Sequence, residues 1–215
     1  MSIRQIVFDC DGVLLESVEI KTTAFALLVE PFGDLAKQRM VDYHRRHGGV
    51  SRVDKVRWFY REVLRKSPDE AAEQAMVERF GQLVMDEVTR CAMVPGALEV
   101  LHCLQDVVPM HVCSGTPQTE LQDILERREL SPFFRSIRGT PPDKVTLLLD
   151  IVQSSGIEPG ETLMVGDSQT DLDAALVVGT RFYARGEALA GGQYPGGRDL
   201  CGLLPWLRAE NNDDL

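Results

Sequence analysis

The stretch Ile6-Val7-Phe8-Asp9-Cys10-Asp11-Gly12 constrains this chain more than any other. An apolar run that reads as a buried strand stops abruptly at two carboxylates one residue apart, and a glycine then lets the backbone turn. Two anions at the end of a buried strand are unfavourable unless a cation lies between them. A hard divalent ion with oxygen ligands meets that need. Taken alone, the stretch fits a solvated Asp-x-Asp-Gly turn equally well, so the rest of the chain has to decide.

Residues 3–8 predict a first strand whose Ile/Val/Phe character suits a parallel sheet covered on both faces. From Ser17 to about Arg90 the pattern turns helical. Val56, Phe59, Tyr60, Val63 and Leu64 recur at helical spacing, as do Met76, Phe80, Leu83 and Val84, and no convincing strand interrupts them. After Val94-Pro95-Gly96, strand and helix alternate. Strands are read at 110–113, 163–165 and 181–183, and helices at Ala97–Leu104, after Thr116 as N-cap with Pro117 in the first position, after Asp143 as N-cap up to Gly156, and over Asp171–Val178. The expected architecture is an α/β fold with a Rossmann-like parallel sheet core, residues 1–15 and 92–215, interrupted by an inserted α-helical domain over residues 16–91. The glycines between 186 and 198 predict a loop, Leu200–Leu207 a short docking element, and 209–215 a frayed acidic terminus.

Three further pieces follow the first in order: Val112-Cys113-Ser114-Gly115-Thr116, Asp143-Lys144, and Val165-Gly166-Asp167-Ser168-Gln169-Thr170-Asp171. Together the four resemble the haloacid dehalogenase superfamily, most of whose members are magnesium-dependent phosphatases that form a phosphoaspartate. The match at Lys144 is looser than the others, a lysine in the right interval rather than a long signature. In open parallel sheets ligands bind at the carboxyl ends of strands, and Asp9, Ser114 and Asp167 fall at such ends.

The resemblance implies a role for each residue. Asp9 is expected as nucleophile, and Asp11 as the acid that protonates the leaving oxygen and then the base that activates water. Asp9, the main-chain carbonyl of Asp11 and Asp167 are expected to hold Mg²⁺, with Asp171 orienting a ligand or a water. Ser114, Gly115 and Lys144 are expected to face the phosphate, although Ser114 and Lys144 also fit bland roles beside helix starts. Within the helical insertion, Gly48-Gly49-Val50-Ser51-Arg52-Val53-Asp54-Lys55 reads as a break between helices. It looks like the Gly-Val-Ser-Arg loop of β-phosphoglucomutase relatives, where the arginine grips the substrate's second anionic group. Arg52 and Lys55 are therefore expected to bind substrate, against the plainer reading of a connection with exposed cations.

The formal charge of −10 argues against nucleic-acid partners. No apolar run approaches the ~20 residues of a membrane span, and five cysteines without Cys-x-x-Cys spacing suit a reducing compartment. These features predict a cytoplasmic protein, expected as a monomer or homodimer, and the resemblance implies that it uses Mg²⁺ to hydrolyse a small phosphorylated metabolite, a sugar phosphate or a phosphorylated carboxylic acid. The alternatives are a phosphomutase of the same architecture and a metal-binding regulatory protein without turnover.

Overall fold

The computed structural model describes residues 2–187, 189 and 193–211. The chain opens with β1 (Gln5–Phe8) and then runs through α1 (Val18–Val29), α2 (Asp34–Arg46), α3 (Arg52–Trp58) and α4 (Glu70–Arg90) without a strand. α4 illustrates the local logic. Asp69 caps it by accepting from the Ala72 amide at 2.7 Å, and Phe80, Val84 and Val88, four residues apart, form its buried stripe.

The remainder alternates: α5 (Ala97–Leu104), β2 (Met110–Pro117), α6 (Gln118–Arg127), β3 (Ser136–Thr140), α7 (Lys144–Ser155), β4 (Thr162–Gly166), α8 (Gln169–Val178), β5 (Arg181–Arg185), β6 (Gly196–Gly197) and α9 (Leu203–Glu210). The six strands form one sheet in the order β3-β2-β1-β4-β5-β6, and every pairing is parallel. Both faces are covered, as continuous apolar strands require. Ile6, Phe8, Leu163 and Val165 face one core with α5, α6 and α9, whereas Val7, Met164 and Cys113 face a second core with α7 and α8. The strand order reverses at β1, so the crevice lies between the carboxyl ends of β1, β2 and β4.

The helical segment leaves and re-enters through adjacent backbone. Glu16 N donates to Ala92 O, and Val94 N to Leu14 O, each at 3.0 Å. Arg128 Nη1 ties down the end of α4 by donating to the carbonyls of Val88, Thr89 and Cys91.

Several expected boundaries move. β2 continues through Thr116 to Pro117, and α6 starts at Gln118, so Thr116 is not the N-cap. The pairing of β2 with β3 shifts register between Ser114 and Pro117. This bulge keeps the strand going and turns Gly115 and Thr116 into the crevice. β3 went unrecognised because Ser-Ile-Arg-Gly-Thr sits on the far side of β2 from β1, mostly half-buried, and lacks an apolar run. α8 starts at Gln169, two residues before the expected Asp171, because Ser168 and Asp171 close its first turn. The terminus is not frayed at 209–211: Glu210 pairs with Arg181, and the buried Asn211 exchanges hydrogen bonds with the backbone of Ile3. Within the expected loop at 186–198, Gly196 and Gly197 pair with β5, while Gly191, Gly192 and residues 212–215 lie outside the described residues. All five cysteines are free, and no described helix is long and apolar enough to cross a membrane.

Candidate active site

Asp9 follows β1, Asp167 follows β4, and Asp171 lies in the first turn of α8. One carboxylate oxygen from each lies within 4.8 Å of the other two. The approach is close enough to dictate a glycine beside it: Gly12 has φ +81°, and a Cβ there would stand 2.1 Å from Asp167 Oδ2. Lys144, the first residue of α7, is buried among these anions, its Nζ 3.0 Å from Asp9 Oδ1 and 2.5 Å from Asp171 Oδ1. Burial alone would drain the Lys144 proton, but Asp171 and Asp9 outweigh it and hold the group well above the ordinary lysine range.

The carboxylates respond in the opposite sense. Burial pushes Asp9 up to about 7, with Lys144 opposing and the charges of Asp171 and Asp11 adding to the rise. Asp167 is driven well above the usual carboxylate range, first by burial and then by Asp171 and Asp9. One lysine is too little positive charge for this cluster. Asp9 Oδ1 makes no hydrogen bond even though Lys144 stands beside it, because the ion pair is poorly angled for one. An orphaned buried oxygen within an all-oxygen donor set fits a hard divalent cation. Asp171 is already committed: Oδ1 accepts from Lys144, and Oδ2 from the amide and hydroxyl of Ser168. It anchors Lys144 and the start of α8.

Asp11 has a different environment. Its Oδ1 accepts from Ser17 Oγ at 2.6 Å, and its Oδ2 from Lys21 Nζ at 2.5 Å and Thr116 Oγ1 at 2.8 Å. Burial favours the neutral acid, but the charge of Lys21 and the three donors prevail and hold the carboxyl well below its usual range. Two carboxylates two residues apart are thus pushed in opposite directions, a pattern that separates acid-base roles. Lys21 and Ser17 were not expected in the site from sequence, and Thr116 was read there only as a helix cap within the second motif. The signal was present in Ser17-x-x-x-Lys21, a spacing that puts Lys21 one turn into α1, above the Ser17 that precedes it.

The crevice is a cavity of about 320 Å³ lined by residues of both parts of the fold. On the β2 side, Gly115 and Thr116 line it, whereas Ser114 is fully buried and its hydroxyl accepts from the Thr116 amide at 3.2 Å. From above, the Gly48–Gly49 turn descends on the crevice. Thr170 Oγ1 donates to Gly48 O at 3.0 Å. Gly49 has φ +75°, and a Cβ there would stand 1.8 Å from Thr170 Oγ1.

Arg52 and Lys55 differ from expectation. Neither lies in a loop: both belong to α3, which starts at Arg52 because Ser51 caps it, accepting from the Asp54 amide at 3.2 Å. The break is confined to residues 47–51. Both cations are buried. Arg52 is neutralised by a salt bridge to Glu120 of α6 and lies 4.7 Å from the centre of the Phe80 ring. Glu120 was not foreseen, since nothing in its local sequence marks a partner 68 residues away. Lys55 Nζ lies 2.9 Å from His44 Nδ1. Cys10 and Cys113 are buried in the core.

Comparison with known proteins gives this geometry a context. Residues 3–179 match the haloacid dehalogenase-like hydrolase family. Phosphoglycolate phosphatase 1 of Pseudomonas aeruginosa is 28% identical over 229 residues, covering 99% of this chain and 78% of that protein. Among solved structures, β-phosphoglucomutase from Clostridium difficile superposes with a TM-score of 0.80 at 16% identity, covering 98% of each chain. The CbbY protein of Rhodobacter sphaeroides, in complex with xylulose-(1,5)bisphosphate, superposes with a TM-score of 0.75 at 16% identity, covering 94% of this chain and 96% of that one.

Proposed function

The chain belongs to the haloacid dehalogenase-like hydrolase family, and from that premise we propose that it is a magnesium-dependent phosphatase acting on a small phosphorylated metabolite through a phosphoaspartate on Asp9. The observation that carries this reading is the opposite treatment of Asp9 and Asp11 at one strand end. Asp9 Oδ1, 3.0 Å from Lys144 Nζ, makes no hydrogen bond, in a site short of positive charge. Asp11 is held ionised by Lys21, Ser17 and Thr116.

In this mechanism Asp9 attacks phosphorus in line with the departing oxygen. Loss of the contacts to Lys21 and Thr116 raises the proton affinity of Asp11, which then takes up a proton from solvent, passes it to the departing oxygen, and afterwards takes a proton from the water that hydrolyses the acyl phosphate. Lys144 neutralises phosphoryl oxygens while Asp171 holds it in place. The Gly115 backbone completes the phosphate-facing wall, and Ser114, buried next to it, has a hydroxyl proton, with no acceptor among the described residues, to offer a phosphate oxygen. Asp9, Asp167 and the Asp11 main-chain carbonyl would hold Mg²⁺, which when bound supplies Lewis-acid neutralisation of the phosphoryl group. The helical segment 16–91 acts as a cap whose Gly48–Gly49 turn shuts the crevice, with Arg52 and Lys55 on the substrate's far side. The relatives named as phosphoglycolate phosphatases support a phosphorylated carboxylic acid as the substrate.

The test is phosphate release from a panel of phosphorylated acids and sugars, with isomerised products measured in the same wells to expose a mutase. Turnover is expected with Mg²⁺ and not in excess chelator. Ca²⁺ should inhibit, because its higher coordination number allows it to hold Asp9 with both oxygens. Turnover that survives chelation, or that survives Asp9→Asn, refutes the mechanism.

A further inference from the structure

Two hydroxyls at the start of α8 stand in three contacts. Thr170 Oγ1 donates to Gly48 O, in the turn of the helical segment, at 3.0 Å. Ser168 Oγ donates to Asp171 Oδ2 at 2.6 Å, and the two hydroxyl oxygens lie 2.9 Å apart. Each hydroxyl carries one proton, so two protons cannot serve all three contacts. The turn itself is tightly seated, since a Cβ on Gly115 at the end of β2 would stand 2.4 Å from Gly49 O.

With the turn lifted, Thr170 is free to give its proton to Ser168, and the chain Thr170 to Ser168 to Asp171 is complete. Hydrogen bonds in such a buried chain polarise one another, so Ser168 is then the stronger donor to Asp171. Seating the turn takes the Thr170 proton to Gly48 O. Ser168 then either serves Asp171 without a donor behind it, or turns to Thr170 and leaves Asp171 Oδ2 with the Ser168 amide at 3.0 Å. Both allocations weaken the support of Asp171 on that side.

A buried carboxylate that loses a donor on one oxygen leans harder on the other. Asp171 Oδ1 holds Lys144 Nζ at 2.5 Å, while the same ammonium lies 3.0 Å from Asp9 Oδ1 and gives it no hydrogen bond. With the turn seated, Lys144 is thus committed to Asp171, and Asp9 keeps an orphaned oxygen.

Resting on the magnesium-phosphatase reading of this cluster, we propose that Thr170 is a positioning residue that couples the seating of the Gly48–Gly49 turn to the carboxylates of Asp9 and Asp167, acting through Ser168, Asp171 and Lys144. Seating the turn withdraws a proton from Ser168 and leaves Asp9 Oδ1 free for a cation. Coupling is reciprocal, so a cation at the carboxylates favours the seated turn by the same factor.

The test is hydrogen–deuterium exchange of the full chain, read by mass spectrometry over residues 47–51, with and without Mg²⁺. A coupling of the order of one hydroxyl hydrogen bond predicts that Mg²⁺ slows exchange in the turn of the parent by about 3- to 10-fold. Thr170→Val keeps the shape and removes the hydroxyl. It should loosen the turn in both conditions and bring the Mg²⁺ ratio to within about 1.5-fold of unity, and Thr170→Ser should restore it. Ser168→Ala keeps the bond from Thr170 to Gly48, so the turn stays protected, yet it cuts the path to Asp171 and should also remove the Mg²⁺ effect. A residue that merely pins the turn changes protection by the same factor with and without Mg²⁺. A ratio that Thr170→Val or Ser168→Ala leaves intact therefore overturns the proposal, and so does a ratio near unity in the parent, which decides the matter whether or not the variants fold. Phosphate release by the parent from phosphorylated acids and sugars is followed in parallel. A ratio that depends on Thr170 and Ser168 without release keeps the coupling and removes the phosphatase reading, whereas release with a ratio of unity does the reverse.

Discussion

Replacing Asp9 by asparagine should stabilise the metal-free protein. Asp9 is 3% exposed, and the rise of its pKa from 3.8 to about 7 corresponds to about 4 kcal/mol between its protonation states. Between these two values the native state keeps a proton that the unfolded chain has released. Native protein therefore binds more protons, and its stability falls by about 1.4 kcal/mol per pH unit across that window, with the full penalty present above about pH 7. Asp9→Asn abolishes this titration. Measured without metal by urea and thermal unfolding, the variant should match the parent near pH 4 and exceed it by up to about 4 kcal/mol at pH 8, or roughly 10 °C in Tm. An amide nitrogen facing the Lys144 ammonium subtracts from that ceiling. Added Mg²⁺ should narrow the gap, because it binds the native parent more tightly than the variant. Equal stabilities at pH 8, or a gap that does not shrink toward pH 4, would refute the claim that uncompensated charge at Asp9 costs this fold free energy.

Two further outcomes test the contacts of the helical segment with α6 and α8. Arg52→Met leaves Glu120 buried without its cation and should cost about 3 to 5 kcal/mol in urea unfolding. The double variant Arg52→Met/Glu120→Met should recover most of that, and a purely additive pair would mean the ion pair is not coupled. Gly49→Ala demands a positive φ of a non-glycine residue and drives a methyl group toward Thr170 Oγ1. It should cost about 1 to 2 kcal/mol of stability and lower kcat/KM at least about 10-fold by keeping the Gly48–Gly49 turn off the crevice. Combining it with Thr170→Ala should restore part of the activity, and no restoration would place the fault in the backbone alone.

What the sequence by itself determined is whatever local chemistry dictates. The apolar run into Asp9-x-Asp11-Gly12, the alternation of strand and helix after residue 94, and the helical periodicity before it are read from neighbours within one or two turns. They were enough for the parallel sheet, the helical insertion and the convergence of Asp9 and Asp167, whereas Ser114, expected beside them, is fully buried, and Lys144 was reached through the family resemblance. The α3 start was legible too, in Ser51-x-x-Asp54, but the glycines before it drew the reading toward a loop. β3 was not legible, because its strand character comes from pairing with β2 rather than from its own side chains. The tertiary structure alone decided the charge partners. Lys21 reaches Asp11 and Thr116, Arg52 reaches Glu120, and Lys55 is left with His44. A cation's role in a buried site depends on which anions lie within about 4 Å of it, and those distances are set by how α1, α2 and α3 pack over the sheet.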